Sequence, residues 1–103
     1  MKSNDFPGDV ANMQGQTLDY WMYCYAAKIL DKKPNQSEFE KGYDTGLYHF
    51  CSDKALLFDL MEKYDIRLQM LGREWLASTE SHSQFGLNPI EAACRLVVAQ
   101  AFS

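Results

Sequence analysis

The chain has 103 residues, room for one domain and too few for two. Hydrophobic residues at 47% and charged residues at 23% are ordinary for a packed globule, while a formal net charge of −4 argues against broad binding to nucleic-acid backbones. No apolar run is long enough to span a bilayer, and Met1–Asp9 lacks the apolar stretch of a signal peptide, so a cytoplasmic protein is expected.

Residues 1–16 are polar, carry Pro7, Gly8 and Gly15, and show no periodicity. They read as a flexible or loosely laid arm preceding a single domain over 17–103. Thr17–Leu30 reads as the first helix, with Thr17 as its cap and Asp19 set against the positive end of the helix dipole. Leu18, Trp21, Met22, Tyr25 and Ile29 share its apolar face. Asp31–Gly46, with Pro34, Gly42 and Gly46, reads as a long loop containing at most a short turn at Ser37–Lys41.

Leu47–Cys51 is β-prone and reads as a short strand or extended segment. Ser52 or Asp53 can cap a helix from Lys54 to about Lys63, whose apolar face is Leu56, Leu57, Leu60 and Met61. Tyr64–Leu71 alternates, with Ile66, Leu68 and Met70 on one face, which is the period of a half-buried strand. Gly72 turns the chain into a return strand at Glu74–Thr79, so a hairpin spans about 65–79. Glu80–Phe85 reads as a polar loop.

Gly86–Ser103 carries the clearest helix signal. Asn88 can cap it, Pro89 suits its first position, and Glu91 can reach back to the cap. Ile90, Ala93, Cys94, Val97 and Ala101 form its apolar stripe. The whole reads as α+β: a short antiparallel sheet packed by an N-terminal helix, a short middle helix and a C-terminal helix.

The sequence shows no nucleophile elbow, phosphate loop or zinc-protease motif, so no catalytic set is expected. Cys24, Cys51 and Cys94 are odd in number and far apart, and read as reduced buried thiols with no metal or cofactor. Six Tyr and two Trp exceed what a core of this size easily hides. Some of them are therefore expected to face a ligand, a partner or a second copy, and a homo-oligomer is expected. Tyr20, Trp21 and Trp75 are candidates to stack on a nucleobase. The free amides after Asn88, with Arg95 two turns further on, could hold an anion; the bland alternative is a solvated Glu91–Arg95 ion pair.

Three blocks resemble the NinX-like proteins of tailed phages, small accessory products. The first is Leu18-Asp19-Tyr20-Trp21 after Gly15. The second is Tyr48-His49-Phe50-Cys51-Ser52-Asp53, standing where that family has aromatic-x-Pro-Ser-Thr-Asp, with Trp75-Leu76-Ala77 similar to its Trp-x-Ala. The third is Gly86-Leu87-Asn88-Pro89-Ile90-Glu91-Ala92-Ala93-Cys94-Arg95, similar to its Gly-x-Thr-Pro-Leu-x-Ala-Ala-x-Arg helix. Phe50 and Cys51 depart from Pro and Ser, and Asn88 from Thr. The resemblance implies a phage accessory protein in the host bacterial cytoplasm and no known reaction.

By analogy of setting, such a protein counters host antiviral defence without catalysis. In the sharpest form it sequesters a small anionic, nucleotide-type signal, with Tyr20, Trp21 or Trp75 on the base and Tyr48 also among the ligand-binding residues. Asn88 and Arg95 would then hold phosphate, and Ser52 and Asp53 would take polar edges. The alternative is a protein–protein inhibitor of a host defence or CRISPR complex, acting through an acidic, aromatic surface.

Overall fold

The computed structural model describes residues 8–102. In chain order the helices and strands are α1 (Gly15–Ile29), α2 (Gln36–Asp44), α3 (Lys54–Tyr64), β1 (Arg67–Leu71), β2 (Glu74–Ser78), β3 (Ser83–Gly86) and α4 (Pro89–Phe102). The fold is α+β, with four α-helices among the described residues and an antiparallel sheet of order β1-β2-β3.

The C-terminal helix α4 is the centre of the molecule. Ala92 through Ala99 are all buried, so the helix is enclosed on every side and not along one stripe. Such a helix has to be a core element. The sheet, α1 and α3 all pack on it. Its start follows from local chemistry: Asn88 Oδ1 accepts from Glu91 N at 2.9 Å, and the Glu91 carboxylate accepts from Leu87 N at 2.8 Å. Two amides of the helix entrance are thereby satisfied, the reciprocal logic of a capping box.

Small residues let the sheet come close. Leu68, Trp75, Ala77 and Gly86 alternate onto the helix-facing side, as the register Leu68↔Ala77 and Trp75↔Gly86 requires. At Gly86 a Cβ would be driven into the backbone nitrogen of Ala92, so only glycine fits where β3 crosses α4. The opposite side of the sheet carries Arg67, Gln69, Leu71, Glu74, Leu76 and Phe85 and faces outward.

Asp53 caps α3 by accepting from Leu56 N, and Asp65 closes that helix in the left-handed conformation that Asp tolerates. The hairpin lies within the expected span, with Met70 more exposed, at 58%, than a half-buried face suggests.

Other expectations are corrected. The segment after Gly8 is packed down: a 3-10 turn at Val10–Asn12 buries Val10 and, just beyond it, Met13. The part of the expected arm at 1–7 lies outside the described residues. α1 begins at Gly15, so Thr17 is inside the helix and does not cap it. The expected loop at 31–46 contains α2, capped by Asn35, whose side chain accepts from Glu38 N at 3.0 Å. Leu47–Cys51 is not a strand, because Tyr48 sits at φ 63° and the chain then tightens into a 3-10 turn at Phe50–Ser52. The expected loop at 80–85 supplies β3, which pairs Leu76↔Phe85 and Ala77↔Gln84.

Gly86→Ala is expected to destabilise the fold by about 1–3 kcal/mol, the usual cost of overpacking. Urea unfolding should show a lower midpoint at an unchanged slope.

Candidate functional site

The aromatic surplus gathers where α1, α2 and the segment 47–52 meet. Phe39 is its centre and is almost wholly buried. Tyr20 packs edge-on to it at 5.2 Å between ring centroids, Tyr23 lies at 5.4 Å, Tyr43 at 5.2 Å, and Tyr48 stacks at 5.8 Å. Tyr48 also touches Tyr23 and Phe50. Tyr20 and Tyr48, two of the rings expected to face a ligand, therefore pack on other rings, each edge-to-face or offset contact contributing about 0.5–1.5 kcal/mol beyond its buried area.

Beneath the rings sits a buried carboxylate. Asp19 is 4% exposed, accepts from the Tyr43 hydroxyl at 2.9 Å, and accepts from Cys51 N at 2.9 Å. One side chain of α1 thus fixes both α2 and the 3-10 turn. His49 stacks on the Tyr43 ring at 4.0 Å, and its Nε2 lies 3.0 Å from the Tyr43 carbonyl. Burial, then the hydrogen bond and negative charge of Asp19, push the Tyr43 hydroxyl up to about 12. The Cys51 thiol is raised by its hydrogen bond to Cys94, by burial and by Asp19, which disfavours the thiolate that nucleophilic chemistry needs. The two thiols are neighbours despite their separation in sequence.

On the outside of this cluster an open groove of about 550 Å³ runs along α2, lined by Asn35, Ser37, Glu38, Lys41, Thr45, Leu47 and Tyr48, with Gly42 in its floor. Leu47 is 56% exposed. Tyr48 adopts φ 63°, a left-handed conformation that a bulky residue takes at an energetic cost. Its ring rests on the backbone of α2 at Gly42, where a Cβ would collide with it. A smaller groove of about 250 Å³ lies beside Tyr20, Gln36, Phe39 and Glu40.

The candidate residues are dispersed. Tyr20 and Tyr48 flank Phe39 in one cluster, whereas Trp21 packs against Phe102 at 5.3 Å. Trp75 is half-buried on the helix-facing side of the sheet. Ser52 ends the 3-10 turn and Asp53 spends an oxygen on the α3 cap. Asn88 and Glu91 are engaged with two amides at the entrance of α4, those of Glu91 and Leu87.

Arg95 is 7% exposed; its Nε donates to the Met13 carbonyl at 2.8 Å, Nη1 to the Phe85 carbonyl at 2.7 Å, and Nη2 lies 3.3 Å from Glu91 Oε1. The guanidinium is a brace inside the protein, and neither the anion mouth nor the solvated ion pair describes it. The residues missed by sequence reasoning are Asp19 as a buried acceptor and the α2 set Ser37, Lys41 and Gly42. The available signal was Asn35 with Glu38 three positions on, followed by Phe39 and Tyr43 four apart.

A pH titration of stability tests the Asp19–Tyr43 contact. The Tyr43 hydroxyl ionises at about 12 in the folded protein against 10.0 for a free tyrosine. The contact's contribution is thus complete below pH 10 and disappears as pH rises through 12. Asp19→Asn should lower the Tyr43 transition, read by tyrosinate absorbance, while Asp19→Ala should cost about 1–3 kcal/mol because the Cys51 amide loses its buried acceptor.

No family model matches the chain, and searches of curated proteins and of solved structures likewise give no match.

Proposed function

We propose that the protein is a non-catalytic binding protein whose working surface is the α2 groove around Tyr48, and that its ligand is a segment of another protein. The observation that carries this reading is the backbone of Tyr48. A left-handed tyrosine is retained where the surrounding structure over-determines it, and such outliers concentrate at binding sites. Here the strain holds an aromatic ring on a glycine floor, beside an exposed Leu47 and between the charges of Glu38 and Lys41. A shallow, open groove with one aromatic anchor, one apolar neighbour and a polar rim suits an extended or helical peptide better than a buried small molecule.

With the setting implied by the NinX-like resemblance, the biological reading is a phage accessory protein that counters host defence from within the bacterial cytoplasm by occupying a defence protein. The sequestration of a nucleotide-type anion is the second reading. Its support moves from Arg95, whose nitrogens have protein partners, to Lys41 and the Tyr48 ring, which share one groove.

Gly42→Ala tests the site without removing a polar group, since the added methyl takes the seat of the Tyr48 ring. Affinity capture from host lysate is expected to yield one stoichiometric protein with the wild type, and at least tenfold less with Gly42→Ala or Tyr48→Ala at unchanged circular dichroism. Equal capture by all three proteins would remove the groove from the reading. Calorimetric heat with a nucleotide panel, lost in Lys41→Glu, would replace the protein ligand by the anion.

A further inference from the structure

The two edges of the sheet are treated differently. Beside β3, the Phe85 carbonyl is taken by Arg95 and the Val10–Asn12 turn lies close by. Beside β1, no described residue pairs with the outer side of the strand. An open edge is a row of unpaired amides and carbonyls, ready to accept another strand. β1 has few of the usual guards: no proline, no bulge against β2, and one charged residue, Arg67, at its start.

The hairpin geometry says which groups are free. Leu71 and Glu74 close a two-residue turn, Gly72-Arg73, with Gly72 at φ 65° and Arg73 at ordinary φ, as a type II′ turn requires. The closing pair of such a hairpin is hydrogen-bonded, and bonding direction alternates along the strand. Arg67, Gln69 and Leu71 therefore point their backbone groups toward β2, while Leu68 and Met70 point theirs outward.

We propose that this edge is the interface for a second copy of the chain, whose β1 adds antiparallel to β1 and makes one continuous sheet across a two-fold axis. The register follows from the free groups. With the axis through Gln69, Leu68 faces Met70 of the second copy and Met70 faces its Leu68, both as hydrogen-bonded pairs, so every outward group of the two residues is used. The same register lays Leu68 over the 58% exposed Met70 on the helix-facing side.

On the outward side, Arg67 of the second copy comes beside Leu71, whose other neighbour is Glu74. That leaves Arg67 and Glu74 two strand spacings apart, about 9–10 Å between backbones, a gap their extended side chains can close. The contact occurs twice by symmetry, so the charge pattern is self-complementary. This supports a second copy over an unrelated strand and is independent of the groove on α2.

Sedimentation and crosslinking test the proposal. The wild type should associate to a dimer, and Met70→Pro should weaken association at least tenfold. That proline removes only an outward amide and leaves the β1–β2 ladder intact. In the facing pair at the axis the Cα atoms lie about 4.5 Å apart, within disulfide range. Gln69→Cys should therefore form an interchain disulfide with oxidised glutathione, while Leu71→Cys, facing Arg67, should not. A wild type that stays monomeric at the highest attainable concentration overturns the proposal. So does a dimer insensitive to Met70→Pro, or crosslinking no faster at 69 than at 71.

Discussion

The guanidinium of Arg95 is the constraint on which much of the architecture depends. Desolvating a permanent cation is costly unless its donors are met with good geometry. Here they are met by carbonyls of two segments far apart in sequence, the stretch ending at Met13 and the strand ending at Gly86, together with Glu91 one turn back on α4. Glu91 in turn receives the Leu87 amide at the helix entrance. The start of α4, the edge of β3 and the packed N-terminal segment are therefore one connected polar unit. Inside it, the glycine at 86 lets strand and helix backbones approach.

A second unit repeats this logic with the opposite charge. Asp19 lies buried under the rings and joins α1 to α2 through Tyr43 and to the 3-10 turn through Cys51. Each unit centres on a buried charged side chain held by backbone carbonyls or amides and by a side-chain partner, the Glu91 carboxylate for Arg95 and the Tyr43 hydroxyl for Asp19. The aromatic residues that look excessive for a small core form a satellite cluster around Phe39. What they leave at the surface is a narrow groove, not a broad sticky face, and that is why the binding reading centres on Tyr48.

Elements specified by neighbours in sequence were legible. Asn88-Pro89-x-Glu91 marked α4, Asp53 marked α3, and alternation about Gly72 marked the hairpin. Elements specified at a distance were not. β3 has a weak local pattern and exists because β2 offers it an edge. α2 was obscured by Pro34 and Gly42, though its Asn35 cap was present in the sequence. Leu47–Cys51 has strand-like composition, yet seating the Tyr48 ring on Gly42 demands a backbone that no strand contains. The Glu91–Arg95 pair was visible, but not that Arg95 would find a carbonyl 82 residues away. Of the expected ligand residues, Tyr20 and Tyr48 meet in the aromatic cluster around Phe39, whereas the side chains at the helix entrance spend their polar groups on one another and on nearby backbone.

The meeting of Cys51 and Cys94 has a practical consequence. Cys51, whose thiol is raised by Cys94, burial and Asp19, lies half-buried between the 3-10 turn and α4 against the fully enclosed Cys94. Alkylating reagents need an accessible thiolate, so the raised Cys51 thiol and the enclosed Cys94 are slow targets while the seam is shut. Their labelling rate becomes a clock for local opening of that seam, reporting the breathing of the Asp19 unit without any engineered probe.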